Sequence, residues 1–143
     1  MSASGFPQLR QVVLDTTDAR GLAEFYRQLL GYAYRPGDEP PGPGGDDERG
    51  RDWLVLRDPA GGKAIAFQQV TSLRAPTWPG DAVPQQLHLD MTVRDMTSLD
   101  LQHERALALG ARLLLDRSGD EEEPLRVYAD PSGHPFCIMV ADG

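Results

Sequence analysis

The chain has 143 residues, of which 40% are hydrophobic and 25% charged, with a formal net charge of −8. That is the length and composition of one folded domain, and it excludes a disordered tail. The acidity excludes a generic phosphate grip, which needs clustered Lys and Arg, and the single cysteine, Cys137, excludes a disulfide framework and a Cys-based zinc site.

Leu9 to Asp15 (LRQVVLD) reads as a first strand, rich in β-branched and apolar residues. Thr17 and Asp18 then offer an N-cap to a helix running to about Leu30. Its apolar residues Leu22, Phe25, Tyr26, Leu29 and Leu30 recur at one-face helical spacing, and Gly31 follows as the stop. Tyr32 to Arg35 starts a short strand that enters an acidic Pro/Gly-rich loop. Trp53 to Arg57 is a strand closed by the turn Asp58-Pro59-Ala60-Gly61, and Ala64 to Val70 is the next. Beyond a proline-containing connector, the order begins again. Gln86 to Thr92 alternates as a strand, Asp95 to Leu109 is a helix stopped by Gly110, and Ala111 to Leu115 is a strand. Leu125 to Ala129, the turn Asp130-Pro131-Ser132-Gly133, and Pro135 to Val140 complete the chain.

This is an internal repeat. Asp18 maps on Asp95 at an offset of 77, Gly31 on Gly110 at 79, the Asp-Pro-x-Gly turns at 72, and Phe67 on Phe136 at 69. Each half is β-α-β-β-β, and about 60 residues bury their own sheet poorly, so the halves must pack on each other or on a second subunit. The domain is read as one unit spanning 1–143, made of repeats at about 8–70 and 85–141 with a connector at 71–84. Two matched loops hold the excess charge. Residues 36–50 carry five acids against Arg49, and residues 116–123 carry five against Arg117. Two explanations compete: solvated, mobile connections, or flanks of a cup mouth that concentrate a cationic guest. The first is taken, because Pro/Gly loops order poorly and exposed charge is screened.

A paired βαβββ with Asp-Pro-x-Gly before each closing strand resembles the vicinal oxygen chelate superfamily, which includes glyoxalase I, bleomycin resistance proteins and extradiol dioxygenases. The segments TWPG…PQQLHLDMTVRD and VYADPSGHPFCIM resemble its small bacterial glyoxalase-like domain branch. The resemblance implies an α+β fold in which two tandem βαβββ modules form a curved mixed β-sheet cup with helices outside. It also implies a small organic ligand held in that cup, and a homodimer. The superfamily's enzymes hold a divalent metal on four cup-facing positions. Carried over by counting seven residues back from each helix cap, and by aligning IAFQQ with HPFCI, these fall on Gln11, His88, Gln68 and Cys137.

Only His88 in that set is a strong ligand, and Gln, Gln, His and a protonated thiol bring no formal charge to a divalent ion. The expectation is therefore no cofactor and no tightly bound metal; a weak one would sit on Gln11, Gln68 and His88. The ligand-binding set is read as Gln11, Asp15, Gln68, Trp78, His88, Asp90 and Cys137. His88 faces the cup as a ligand contact or as the candidate catalytic base, and Asp90 is either its polar partner there or the acid of an ion pair with one of the many arginines. Asp15 anchors an amine or satisfies backbone donors ahead of the helix. Trp78 walls the cup rim or staples the connector to the sheet, and the staple is taken. Cys137 is a core thiol rather than a nucleophile, His103 a surface residue and His134 a turn or rim residue. A small-molecule binder is the leading function, with a metal-dependent or His-based lyase, isomerase or dioxygenase-type enzyme as the alternative. No nucleic acid or membrane partner is expected. No apolar run reaches the roughly 18 residues a membrane span needs, and MSASGFPQLR lacks a basic-then-apolar signal, so the location is read as cytoplasmic.

Overall fold

The computed structural model describes residues 5–141. The chain runs β1 (Gln11–Thr16), α1 (Ala19–Leu30), β2 (Ala33–Tyr34), a 3₁₀ turn (Arg49–Arg51), β3 (Trp53–Arg57) and β4 (Ala64–Gln69), and then a connector. The second half is β5 (Leu89–Val93), α2 (Met96–Leu109), β6 (Arg112–Arg117), β7 (Leu125–Ala129) and β8 (Pro135–Val140). Each half folds into a four-stranded mixed sheet, ordered β1-β4-β3-β2 and β5-β8-β7-β6, in which the first and last strands lie parallel and the others antiparallel. The architecture is α+β, two βαβββ modules in tandem.

Capping chemistry sets both helices. Asp18 Oδ1 accepts from the Gly21 N–H at 3.0 Å, and Asp95 Oδ1 from the Ser98 N–H at 2.8 Å. Gly31 and Gly110 close them at φ values of 71° and 113°, a left-handed conformation that costs glycine little. The α1 stripe is buried as its spacing requires: Leu22, Phe25, Tyr26 and Leu29 sit against Leu54, Leu56 and Phe67 of the first sheet. Each such side chain contributes about 1.5–3 kcal/mol of burial.

One core serves both halves. Phe25 and Tyr26 of α1 meet Phe136 of β8 at ring-centroid distances of 5.8 and 6.1 Å, and Tyr128 stacks on Phe136 at 5.2 Å. The Tyr26 hydroxyl, fully buried, donates to Asp130 Oδ2 at 2.7 Å. Asp130 Oδ1 in turn accepts from the Ser132 and His134 N–H groups at 2.9 and 3.0 Å. Nearby, the Thr16 and Ser132 hydroxyls bond to each other at 2.7 Å, and His134 Nε2 donates to the Asp15 carbonyl at 2.7 Å. The halves therefore pack on each other within one chain.

Strand boundaries shift by one to three residues from the sequence reading, and the first acidic loop differs in how it is held. β5 begins at Leu89, so Gln86, Leu87 and His88 precede it as extended connector. β2 shrinks to two residues because Asp38 takes over its pairing role: its Oδ2 accepts the Val55 N–H at 2.9 Å. The first acidic loop is largely exposed, as expected, but three of its acids are clasped by arginines. Asp38 is fully buried between Arg35 and Arg49, Arg20 of α1 grips Asp47 through two bonds of 2.8 Å, and Arg51 pairs with Asp46. The second loop matches the expectation better, with Glu121, Glu122 and Glu123 exposed.

Candidate functional site

In β1, β3 and β4, residues facing the helices (Val12, Leu14, Thr16; Leu54, Leu56; Ile65, Phe67) alternate with residues on the opposite, cup face. Gln11, Val13 and Asp15, then Trp53, then Ala66 and Gln68 fall on that cup face. In the second half it carries Asp90, Val127 and Cys137, while Tyr128 points to the helix side.

The strand register revises the repeat alignment. Asp15 lies beside Gln68, and Asp90 beside Cys137, while Leu14–Phe67 matches Leu89–Phe136. Asp15 is thus the counterpart of Asp90, and Val13 of His88; β5 continues two residues farther than β1 before its helix cap, which displaces a count made from the caps. Gln11 instead lies beside Ala64, four residues from the Gln68 position, a strand separation of about 13 Å. Gln11 and Gln68 therefore do not converge. A divalent ion is poorly served by what remains. Burial pushes the Cys137 thiol up to about 11, so it is neutral near pH 7, and valine stands where the first half would offer an imidazole. Among the described residues, no group of three or more His, Cys, Asp or Glu side chains is placed to hold a metal. The residues present do not fit a tightly held ion.

Five of the seven expected ligand residues divide among three cavities. A small one of about 60 Å³ is lined by Trp78, Gln85, His88, Val127, Pro135 and Cys137. Trp78 thus packs on the cup face of the second sheet, stapling the connector there, and the Gln85 Oε1 beside it is buried without a hydrogen-bond partner. His88 Nε2 lies 3.3 Å from Asp90 Oδ1, with both side chains about half exposed. Asp90 also borders a groove of about 370 Å³ with Leu30, Tyr32, Lys63 and Leu89.

The third cavity, of about 340 Å³, lies where the cup face of β1 meets the connector. Val13, Leu73, Pro76, Val83, Pro84 and Leu87 supply its apolar walls. Asp15, Arg74, Gln86 and His134 supply its polar groups. The volume falls in the range of small-molecule pockets, as does the pattern of apolar walls with few polar groups. Gln11 and Gln68 line none of these three cavities. Sequence reasoning missed Arg74, Gln86 and His134 here, because a connector without periodicity gives no sign of which side chains turn inward. His134 was legible only as a turn residue; its bond to the Asp15 carbonyl fixes one wall. His103 is likewise not a surface residue, since its Nδ1 meets the Tyr128 hydroxyl at 2.8 Å in a half-buried setting.

A family model described as a glyoxalase-like domain matches residues 11–139. A glyoxalase/bleomycin resistance protein/dioxygenase family enzyme from Burkholderia phytofirmans superposes with a TM-score of 0.67 at 18% identity, covering 94% of this chain and 98% of that one. A glyoxalase-related enzyme from Fulvimarina pelagi gives 0.65 at 21% identity, covering 95% and 89%. The fosfomycin resistance protein FosX from Mesorhizobium loti gives 0.64 at 12% identity, covering 95% and 92%. These likenesses establish the fold. No curated protein matches the sequence.

Proposed function

The chain belongs to the glyoxalase-like domain family, and from that premise we propose that it binds a small organic molecule at the cup without a tightly held catalytic metal. The observation that carries this reading is the cavity of about 340 Å³ against the cup face of β1. It is roofed by the connector and lined mainly by apolar groups, with a few polar ones to orient a guest. The chain would act in the cytoplasm as a homodimer, which light scattering tests: a monomer of 15.7 kDa at every concentration removes that part. None of the described helices is long and apolar enough to cross a membrane.

The His88–Asp90 contact favours a second reading, a His-based lyase or isomerase. An imidazole held by a carboxylate on an open face has the make-up of a general base. Protein purified without chelator separates the two by native mass spectrometry and elemental analysis. Binding predicts a releasable organic guest and substoichiometric metal. Stoichiometric metal that disappears in His88→Ala overturns the metal-free reading, and a small molecule converted by the parent chain but not by His88→Ala, with no metal present, favours the His-based enzyme.

A further inference from the structure

The cavity beside β1 carries one acid and one base that the fold leaves unused. Asp15 and Arg74 both line it, and both are exposed at its mouth. Among the described residues, neither side chain enters an ion pair, although arginines pair with acids elsewhere in the chain: Arg20, Arg27, Arg35, Arg49, Arg51, Arg117 and Arg126. They do not pair with each other. The Asp15 backbone carbonyl is held by His134, so the strand beneath the carboxylate is fixed while its side chain is free. The rest of the lining is mostly apolar, Val13, Leu73 and Leu87 among it, with Gln86 and His134 as its other polar groups.

We infer that this cavity selects an ampholyte: a molecule with an apolar body, an amine directed at Asp15 and a carboxylate or similar anion directed at Arg74. The inference rests on the proposed binding function and adds the chemical class of its guest. A single-charge guest would leave one of the two side chains to water alone, and a neutral one would leave both. Flanking apolar surface thins the water around each charge, which strengthens attraction to an opposite group. Arginine's planar fork also suits a carboxylate through two parallel bonds.

Titration calorimetry with one matched set of probes tests this. The set is phenylalanine, its amide (cation only), N-acetylphenylalanine (anion only) and N-acetylphenylalanine amide (neutral). Leucyl-phenylalanine adds a zwitterion of longer span. At least one zwitterion should bind ten-fold or more tightly than the neutral probe, and lose most of that margin at 0.5 M salt. Asp15→Asn should erase the advantage of the amine alone, and Arg74→Gln that of the carboxylate alone. Both side chains are exposed, so circular dichroism should show folded variants. If the neutral probe binds as well as the zwitterions, the ampholyte class is wrong while the cavity stands. If only one charge matters, the class is equally wrong. If no probe binds, the cavity is not the ligand site, and both the inference and the binding reading at this place fall.

Discussion

The two halves share topology, capping and turn sequence, yet they handle charge in opposite ways. In the first, an acidic loop with five acids is drawn onto the body of the protein by arginines from α1, β2's end and the 3₁₀ turn. Arg20 also lies 5.0 Å from the Tyr34 ring centroid, so its guanidinium is held from two directions. In the second, Arg126 of β7 reaches only Asp116 and Ser118 at the loop's start, while Glu121, Glu122 and Glu123 stay exposed and Asp120 accepts from the Glu122 and Glu123 N–H groups at 2.9 Å. The helix–sheet interfaces diverge too. Under α1 the contact is aliphatic and aromatic apart from the buried Tyr26–Asp130 bond, whereas under α2 it includes Arg126 between Asp100 and Asp116, and Tyr128 against His103. A segment's own charge count therefore does not decide whether it is solvated. What decides is where counter-charges fall: Arg20, Arg35, Arg49 and Arg51 meet acids along the first loop, whereas Arg126 meets the second only at its start.

The sharpest way to break this contrast is Asp38→Ala. It leaves the buried Val55 N–H without its acceptor and Arg35 and Arg49 without their shared partner. We expect a loss of about 3 kcal/mol, seen as a lower urea midpoint at unchanged slope. Asp120→Ala in the second loop should leave the midpoint where it is. A comparable loss from the two substitutions would erase the distinction.

Next in size is Tyr26→Phe, which removes a donor from the buried Asp130 carboxylate and should cost about 1–2 kcal/mol. Tyr128→Phe, facing the half-buried His103, should cost less. The reverse order would mean that the polar interface under α2 is the stronger one.

Acid titration gives the smallest effect and separates the two carboxylates by sign. The hydrogen bonds from Arg20 hold Asp47 below the ordinary carboxylate range, so the stability it contributes is present above about pH 4 and is lost as pH falls through its depressed value. Burial raises Asp130, so its ionisation costs stability as pH rises from about 4 through its elevated value. Thermal melts from pH 2 to 7 should show Asp47→Asn flattening the acid limb. Asp130→Asn should remove the penalty on the other side. Identical pH profiles for both variants and the parent would contradict both assignments.

Much of the fold was legible because its signals are local. Helix spacing, Asp caps, Gly stops and two Asp-Pro-x-Gly turns each report on a few neighbouring residues. Alternation put Asp15 on the face of Gln11 and Val13, and the alignment of IAFQQ with HPFCI put Gln68 on the cup face; the strand register sets the two side by side. The partnership of Gln11 with Gln68 could not be checked that way. It depended on counting from the helix caps, and the count fails where β5 gains two residues that β1 lacks. Arg74 and the clasped first loop were invisible for a different reason: both lie in segments with no periodicity, and the loop's Asp47 is held by Arg20, 27 positions away. Gln69 belongs here as well, since its side chain accepts from the Ala19 N–H and donates to the Thr17 carbonyl, holding the start of α1 from the last strand of its half.

The bond between Tyr26 and Asp130 joins residues 104 positions apart. During synthesis at about 5–20 residues per second, α1 leaves the ribosome roughly 5–20 s before its partner carboxylate exists. Over that interval the aromatic face of Phe25 and Tyr26 has the first sheet to cover it but not Phe136 or Tyr128. The nascent first half is thus a sticky species whose exposure ends only when nearly the whole chain has been made.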